Sequence, residues 1–158
     1  MTRWHGPGGI AHVLRLGLPL LAGMGSLTAM HLTDRIFLGW YSQDALAASL
    51  PAGVTFFLLT SFFLGTAGYA GVLVAQHVGA GLSAMVGRVV WQGIYFAVLS
   101  FVPLLLLALA AEPIFEAMGH APPVRRLEVV YYRVLMLGAG LMVLEASLAA
   151  FFSGRGLT

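Results

Sequence analysis

The positions of the charged residues divide this chain into long uncharged stretches. Its 158 residues include only six acidic and eight basic side chains, and every basic one is arginine. No formal charge lies between Arg15 and Asp34, or between Asp44 and Arg88. Because one helical crossing of a bilayer needs about 20 predominantly apolar residues, stretches of this length indicate membrane-spanning helices rather than the core of a soluble domain.

Four helices account for the apolar stretches. The second is expected to be one overlong helix, because its centre (FFLLTSFFLGTAGYAGVLV) has no polar hairpin and the first turn signal is glycine-rich, at 79–81. A loop at 112–123 separates the last two. The sequence thus predicts an all-α, polytopic membrane protein in which residues 1–158 form one domain or part of one. The four transmembrane helices are predicted at about 13–40, 46–77, 86–111 and 129–152.

Composition supports this prediction and excludes several functions. The chain is 59% hydrophobic and 9% charged, whereas soluble domains are nearer a quarter charged. It has no cysteine, which excludes disulfides and thiol chemistry, and its five histidines lack metal-site spacing. No catalytic motif or phosphate-binding glycine loop occurs, so neither an enzyme nor a cofactor is expected. The net charge of +2 is too small and dispersed for nucleic-acid binding.

The arginines give a weak indication of topology. If the N-terminus is cytoplasmic, four arginines lie at cytoplasmic helix ends and three lie toward the opposite side. A cleaved signal peptide is the alternative for the first apolar stretch, since Arg3 precedes it. That stretch is longer than a usual signal peptide's apolar region, and no A-x-A-like site precedes Asp34. We therefore expect a retained first span with a cytoplasmic N-terminus.

Two polar residues near the end of the first helix are candidates for chemistry. Asp34 is a carboxylate within an apolar segment, where ionisable residues usually face a cavity or a partner. It could bind a proton or a cation, or it could pair with the adjacent Arg35 or cap a helix end. His31 lies three residues earlier, on the same helix face. A histidine there is more often held by one structural hydrogen bond than used in proton transfer.

The first two helices also carry features that bear on bending and packing. Pro19 removes one intrahelical hydrogen bond and is expected to kink the first helix, either as a static bend or as a hinge. Small residues recur at every fourth position of the second helix, a spacing that lets two helix backbones approach closely. This predicted packing face consists of Ala67, Gly71, Ala75 and Gly79.

Glu145 is the formal charge that lies deepest within a predicted span. It is twelve residues after Arg133 and ten before Arg155, and no arginine lies within four residues of it on its helix. A carboxyl group at this depth must be protonated, paired with a group on another helix, or in contact with water. We therefore include Glu145 among the candidates for an ion-coupling or substrate cavity.

Taken in order, several segments resemble the multidrug and toxic compound extrusion (MATE) family of transporters. They are LRLGLPLLAGMGSLTAMHLTDRIFLGWYSQDALAAS in the first helix, GTAGYAGVLVAQHVGAG in the second, VGRVVWQGI at the start of the third, and YYRVL and FFSGRGLT around the fourth. The resemblance implies a secondary antiporter that exports organic cations in exchange for H+ or Na+. It also implies twelve helices in two six-helix lobes, of which this chain supplies part of the N-terminal lobe.

The same resemblance implies roles for individual residues. Asp34 takes the place of the family's first-helix aspartate in proton or Na+ coupling, and Pro19 that of a proline associated with bending of that helix. Tyr131, or the adjacent Tyr132, matches a fourth-helix tyrosine near the same cavity. Neither Arg35 nor Glu145 matches the family pattern.

The resemblance further implies a multi-pass protein of a bacterial inner membrane. Its partners would be the lipid bilayer, organic cation substrates and the remaining helices of the full transporter, without which the chain should be inactive. Two alternatives stay open. One is a flippase for lipids or lipid-linked oligosaccharides within the same superfamily, and the other is a small non-transporting membrane subunit.

Overall fold

The computed structural model describes residues 10–157, without the side chains at 10–13, 15, 16, 19, 20, 23, 24 and 27. The described chain is helical, with short turns between successive helices. In chain order, the helices are α1 (Ile10–Tyr41), α2 (Gln43–Gly79), α3 (Ser83–Leu109), α4 (Ala111–Ala117) and α5 (Pro122–Ser153).

Three of the helices in the described part of the chain are long and apolar enough to cross a membrane: α2, α3 and α5. Most of their surface carries exposed leucine, valine and phenylalanine side chains. A soluble protein rarely exposes apolar surface on this scale, whereas lipid tails cover it at no cost. The chain is therefore an all-α, multi-pass membrane protein.

The helix boundaries differ most from prediction near the start of the last helix, where the sequence predicted a loop at 112–123. This region is called the loop end. Ala111–Ala117 forms the short helix α4, where the sequence predicted the end of the third helix and then a loop. The last helix begins at Pro122, earlier than the predicted start at 129. Proline has no amide hydrogen and a helical φ, so two prolines suit the first helical positions. Arg125 and Glu128 consequently lie within a helix rather than in a loop.

By contrast, α2 is the single overlong helix that the sequence predicted at 46–77. It continues through Pro51 to Gly79. The chain then turns at Gly81, whose φ of +73° is in the left-handed region that favours glycine. This turn leads into α3 after three residues.

The structure divides into two compact units, residues 1–46 and residues 47–158. The second unit contains most of α2 together with α3, α4 and α5, and its core lies where these helices meet. Small side chains dominate much of this core, which lets the helix backbones come close. A larger aromatic pair, Phe115 on α4 and Tyr132 on α5, fills the end near the loop, with ring centroids 5.4 Å apart.

Glycines mark the closest approaches between helices. A Cβ atom on Gly93 of α3 would lie 3.2 Å from the Cβ of Ser147 on α5. The Ser147 hydroxyl donates to the Gly93 carbonyl at 3.1 Å, so this contact combines close packing with an interhelical hydrogen bond. A Cβ on Gly154, just after α5, would lie 2.6 Å from the carbonyl oxygen of Gly71 on α2.

The predicted packing face on α2 coincides only partly with the buried face. Ala67 is buried, and Gly71 lies against Ala150 and Ser153. The other two residues of the stripe, Ala75 and Gly79, are exposed in the described chain. From Ala67 onward the buried positions follow a three-and-four spacing rather than a strict four-residue one, because 3.6 residues complete each turn. They are Ala67, Ala70 and Val74.

Candidate functional site

Asp34 lies within α1, seven residues before the end of that helix at Tyr41. Its side chain and that of Arg35 are half-buried, whereas His31, one turn earlier, is exposed. Asp34 and Arg35 both take part in interactions with other groups. The helix thus places a carboxylate and an imidazole on one face, with only the carboxylate partly shielded from solvent.

Pro19 is the other candidate of the first helix. Its backbone is helical, within Ile10–Tyr41, and its side chain lies outside the described residues. The kink expected at this position therefore stays a prediction. On a straight helix, the fifteen residues from Pro19 to Asp34 correspond to about 22 Å.

The two adjacent tyrosines at the start of α5 have different environments. Tyr132 is fully buried, packs edge-on against Phe115, and donates a hydrogen bond to the carbonyl of Leu107 on α3 at 3.3 Å. It is part of the core that joins α3, α4 and α5. Tyr131 is half-buried and has interactions of its own. Since Tyr132 is committed to the core, Tyr131 is the better placed of the two to meet a ligand.

Glu145 is exposed on the outer face of α5. Within the part of the chain that the structure describes, its carboxylate has no hydrogen bond and no ion pair. The exposed neighbours one turn away on either side are Leu141 and Leu148. Fourteen residues separate Tyr131 from Glu145, about 21 Å along a helix, so these two candidates do not share one cluster.

A buried carboxylate that the sequence pattern did not reveal lies at the loop end of the molecule. The fourth span was predicted to begin at about 129, one residue after Glu128, but the Glu128 side chain is fully buried within α5. One carboxylate oxygen, Oε1, lies 2.7 Å from Nδ1 of His120, in the turn that precedes α5. The other oxygen, Oε2, has no hydrogen-bond partner among the described residues. The paired prolines could have revealed this, because a helix that begins at Pro122 includes Glu128.

Two exposed ion pairs lie beside this buried group. Arg133 of α5 donates to Glu112 of α4 at 3.1 Å, and Arg125 lies 3.5 Å from Glu116. Both glutamates are more than two-thirds exposed, so water screens these pairs and each contributes little to stability. Three of these side chains, Glu112, Glu116 and Arg125, line a shallow cavity of about 330 Å³ together with Arg126 and Val129. The two ion pairs join α4 to α5.

The chain is similar to known proteins. Residues 19–158 match the family model described as MatE. The chain is similar to a protein from Bradyrhizobium diazoefficiens named a probable multidrug resistance protein NorM, with 32% identity over 79% of this chain and 27% of the relative. It is also similar to the multidrug resistance protein NorM of Burkholderia vietnamiensis, with 31% identity over 90% of this chain and 32% of the relative.

A third relative, the multidrug resistance protein NorM of Aliivibrio fischeri, is 28% identical over 94% of this chain and 32% of its own length. The chain thus spans about a third or less of the curated relatives that it matches. No solved structure matches it significantly. The family match covers α1 from Pro19 onward and the whole of α2 to α5. The chain belongs to the MatE family.

Proposed function

We propose that this chain forms the N-terminal part of a multidrug exporter that carries organic cations out of a bacterial cell in exchange for H+ or Na+. The observation that carries the proposal is the family match over residues 19–158, which includes both Pro19 and Asp34. Relatives named multidrug resistance proteins support it. Antiport requires two states of the transporter that bind the ion and the drug with different affinities.

In this proposal α1 is a fourth transmembrane helix, in addition to α2, α3 and α5. The protein spans the inner membrane, with its N-terminus in the cytoplasm. The helices beyond residue 158 of the full transporter complete the cavity and supply the second lobe. Because alternating access needs both lobes, the chain alone does not transport.

Asp34 binds the coupling ion. A half-buried carboxylate on a membrane helix can exchange a proton without further ligands, since its own oxygen holds the proton. Among the described residues, no group of three or more histidine, aspartate or glutamate side chains could hold a metal ion. Coupling to Na+ would therefore need additional oxygen ligands from other parts of the transporter. Pro19 acts as the hinge that lets α1 change its bend when the ion binds.

The substrate cavity uses groups that attract an organic cation. Tyr131 offers an aromatic face, and aromatic rings attract cations through their quadrupole. Its neighbour Tyr132 is buried in the core, which favours Tyr131 for this role. Glu145 offers a negative charge on the exposed face of α5, and His31 lies one turn from Asp34 on α1.

The role of Asp34 is tested in a chimera in which residues 19–158 replace the matching segment of the Burkholderia vietnamiensis relative. Asp34→Asn keeps the shape of the side chain but cannot carry a negative charge. We expect it to abolish ion-coupled uptake of an organic cation dye into everted membrane vesicles, the direction that corresponds to efflux from the cell. Asp44→Asn, at the exposed start of α2, is the matched control and should retain efflux. Unchanged coupled efflux in the Asp34→Asn chimera would refute the role of Asp34.

The hinge and the need for both lobes have separate tests. Pro19→Ala restores the missing helical hydrogen bond, so it should slow turnover in the same chimera, whereas unchanged turnover means that the bend is static. The chain alone, purified into liposomes, should move no dye in response to an imposed H+ or Na+ gradient. Gradient-driven dye movement by the chain alone would contradict the need for the remaining helices.

A further inference from the structure

The buried glutamate near the start of α5 has no role in the proposed transport cycle. Glu128 is fully buried, yet only one of its two carboxylate oxygens has a hydrogen-bond partner among the described residues, the imidazole of His120 at 2.7 Å. Moving a carboxylate out of water is costly unless a nearby group neutralises its charge. The way this charge is balanced therefore decides what the cluster can do.

His120 connects the buried carboxylate to the surrounding water. Its side chain is 39% exposed, whereas that of Glu128 is inaccessible. It lies in the turn between α4 and α5, directly after Gly119, whose φ of +71° is in the left-handed region. Histidine is the side chain whose charge ordinarily changes between about pH 5 and 8. The imidazole is thus placed to exchange a proton with water on one side while it bonds to the carboxylate on the other.

Most of the other charged groups near this pair are matched. On α4, Glu112 pairs with Arg133 and Glu116 pairs with Arg125, so these four charges cancel. On α5, Arg126 is exposed, and Tyr132 donates its hydroxyl hydrogen to the Leu107 carbonyl rather than to the carboxylate. The titratable side chains of α3 are Arg88 and Tyr95, both toward the opposite end of that helix from Leu107. Among the described residues, His120 is thus the charge-bearing group in contact with the Glu128 carboxylate.

We propose that Glu128 and His120 together bind one exchangeable proton, at a site separate from Asp34. When the proton is bound, the Nδ1–H of the imidazolium donates to Glu128 Oε1 and the pair carries no net charge. When the imidazole releases the proton to water, one buried negative charge remains. The same hydrogen bond attaches the turn at 118–121 to α5, so the proton also strengthens the attachment of that turn. The site does not depend on the transport function.

The test follows both partners while the pH is changed. The full chain, in detergent micelles, is labelled with isotopes in its glutamate carboxyl groups and histidine rings, and its NMR signals are recorded between about pH 5 and 8. We expect the Glu128 carboxyl signal and the His120 ring signal to change together, because coupled groups titrate as a pair. A Glu128 signal that stays constant while His120 becomes protonated would overturn the proposal in the unmodified chain.

Variants separate this site from an ordinary structural contact. His120→Gln retains a hydrogen-bond donor at a partly exposed position but cannot take up the proton, so the pH response of Glu128 should be lost or moved to a different pH. An unchanged response at the same pH would also overturn the proposal. Glu112→Gln is the matched control on the neighbouring ion pair and should leave the joint response of His120 and Glu128 intact. None of these readouts requires transport, so they stand apart from the test of Asp34.

Discussion

Two glutamates on the same helix have opposite environments. Glu128 is fully buried and bonded to His120, whereas Glu145 is exposed on an otherwise apolar face of α5. Seventeen residues separate them, which at 3.6 residues per turn places them about 100° apart around the helix axis. Glu128 therefore faces α4 and the core, and Glu145 faces outward. Whether a charged side chain of α5 has a partner in the described chain therefore depends more on the helix face on which it lies than on its position along the helix.

The two ends of α5 also differ in what stabilises them. At the loop end, one partly buried hydrogen bond and two exposed ion pairs connect α4 and the turn after it to α5. Farther along α5, small residues hold α2 and α3 close, as in the contact between Gly93 and Ser147. The first source depends on charge and the second on shape. Substitutions should therefore affect the two regions by different mechanisms and by different amounts.

The largest loss of stability is expected from His120→Ala. This change leaves both oxygens of Glu128 buried without a partner among the described residues, and an uncompensated buried charge costs about 3 kcal/mol or more. The measurement is the free energy of unfolding in detergent micelles. Glu128→Gln should lose less, because no buried charge remains. Equal losses in the two variants would show that packing rather than charge holds this end together.

A smaller loss is expected from Gly154→Ala. The added methyl group would lie 2.6 Å from the backbone oxygen of Gly71, which cannot move aside as a flexible side chain can. Overpacking of this kind costs about 2 kcal/mol. Gly138→Ala on the same helix is the control, because a Cβ atom there meets nothing within 4 Å. The same unfolding assay should separate the two variants, and equal stability would argue against close packing of α2 and α5.

Glu112→Gln should have a small effect. The ion pair with Arg133 is exposed, and such pairs contribute less than about 1 kcal/mol. Added salt should reduce the difference between the variant and the unmodified chain, because it screens exposed charges. A difference that is large and insensitive to salt would mean that this pair is shielded from solvent in the folded protein.

Glu145→Gln should leave the stability of this chain unchanged to within about 0.5 kcal/mol. Its carboxylate has no partner among the described residues, so the substitution breaks no contact there. Unfolding in micelles again provides the measurement. A clear loss of stability would show that Glu145 has a partner within the chain and would remove the contrast with Glu128.

The sequence predicted α2, α3 and most of α5 as membrane spans, because a stretch of about 20 residues with few or no charges is a strong signal of a span. The overlong α2 and the turn after it follow from the same reasoning. The loop end was harder, because α4 has only seven residues and begins directly after α3. Because Pro122 was predicted to lie in a loop, the sequence indicated neither the early start of α5 nor the burial of Glu128.

The candidate residues show a second limit of sequence reasoning. Glu145 was singled out because it lies deep within an apolar segment, and its depth says nothing about which helix face it occupies. The small-residue stripe on α2 was predicted to be a packing face, but two of its residues, Ala75 and Gly79, are exposed. Tyr131 and Tyr132 were indistinguishable in sequence, and only the packing of Tyr132 against Phe115 separates them. Each of these distinctions depends on contacts between distant residues.

The proposal that this chain works within a cation-coupled multidrug exporter is tested most directly by the gradient dependence of efflux. The chimera carrying residues 19–158 is compared with the intact Burkholderia vietnamiensis relative at equal amounts in everted vesicles. We predict that the chimera moves an organic cation dye when a proton or Na+ gradient is imposed, and stops when that gradient is dissipated. A chimera that is inserted normally but moves no dye, or moves it regardless of both gradients, would contradict the proposal.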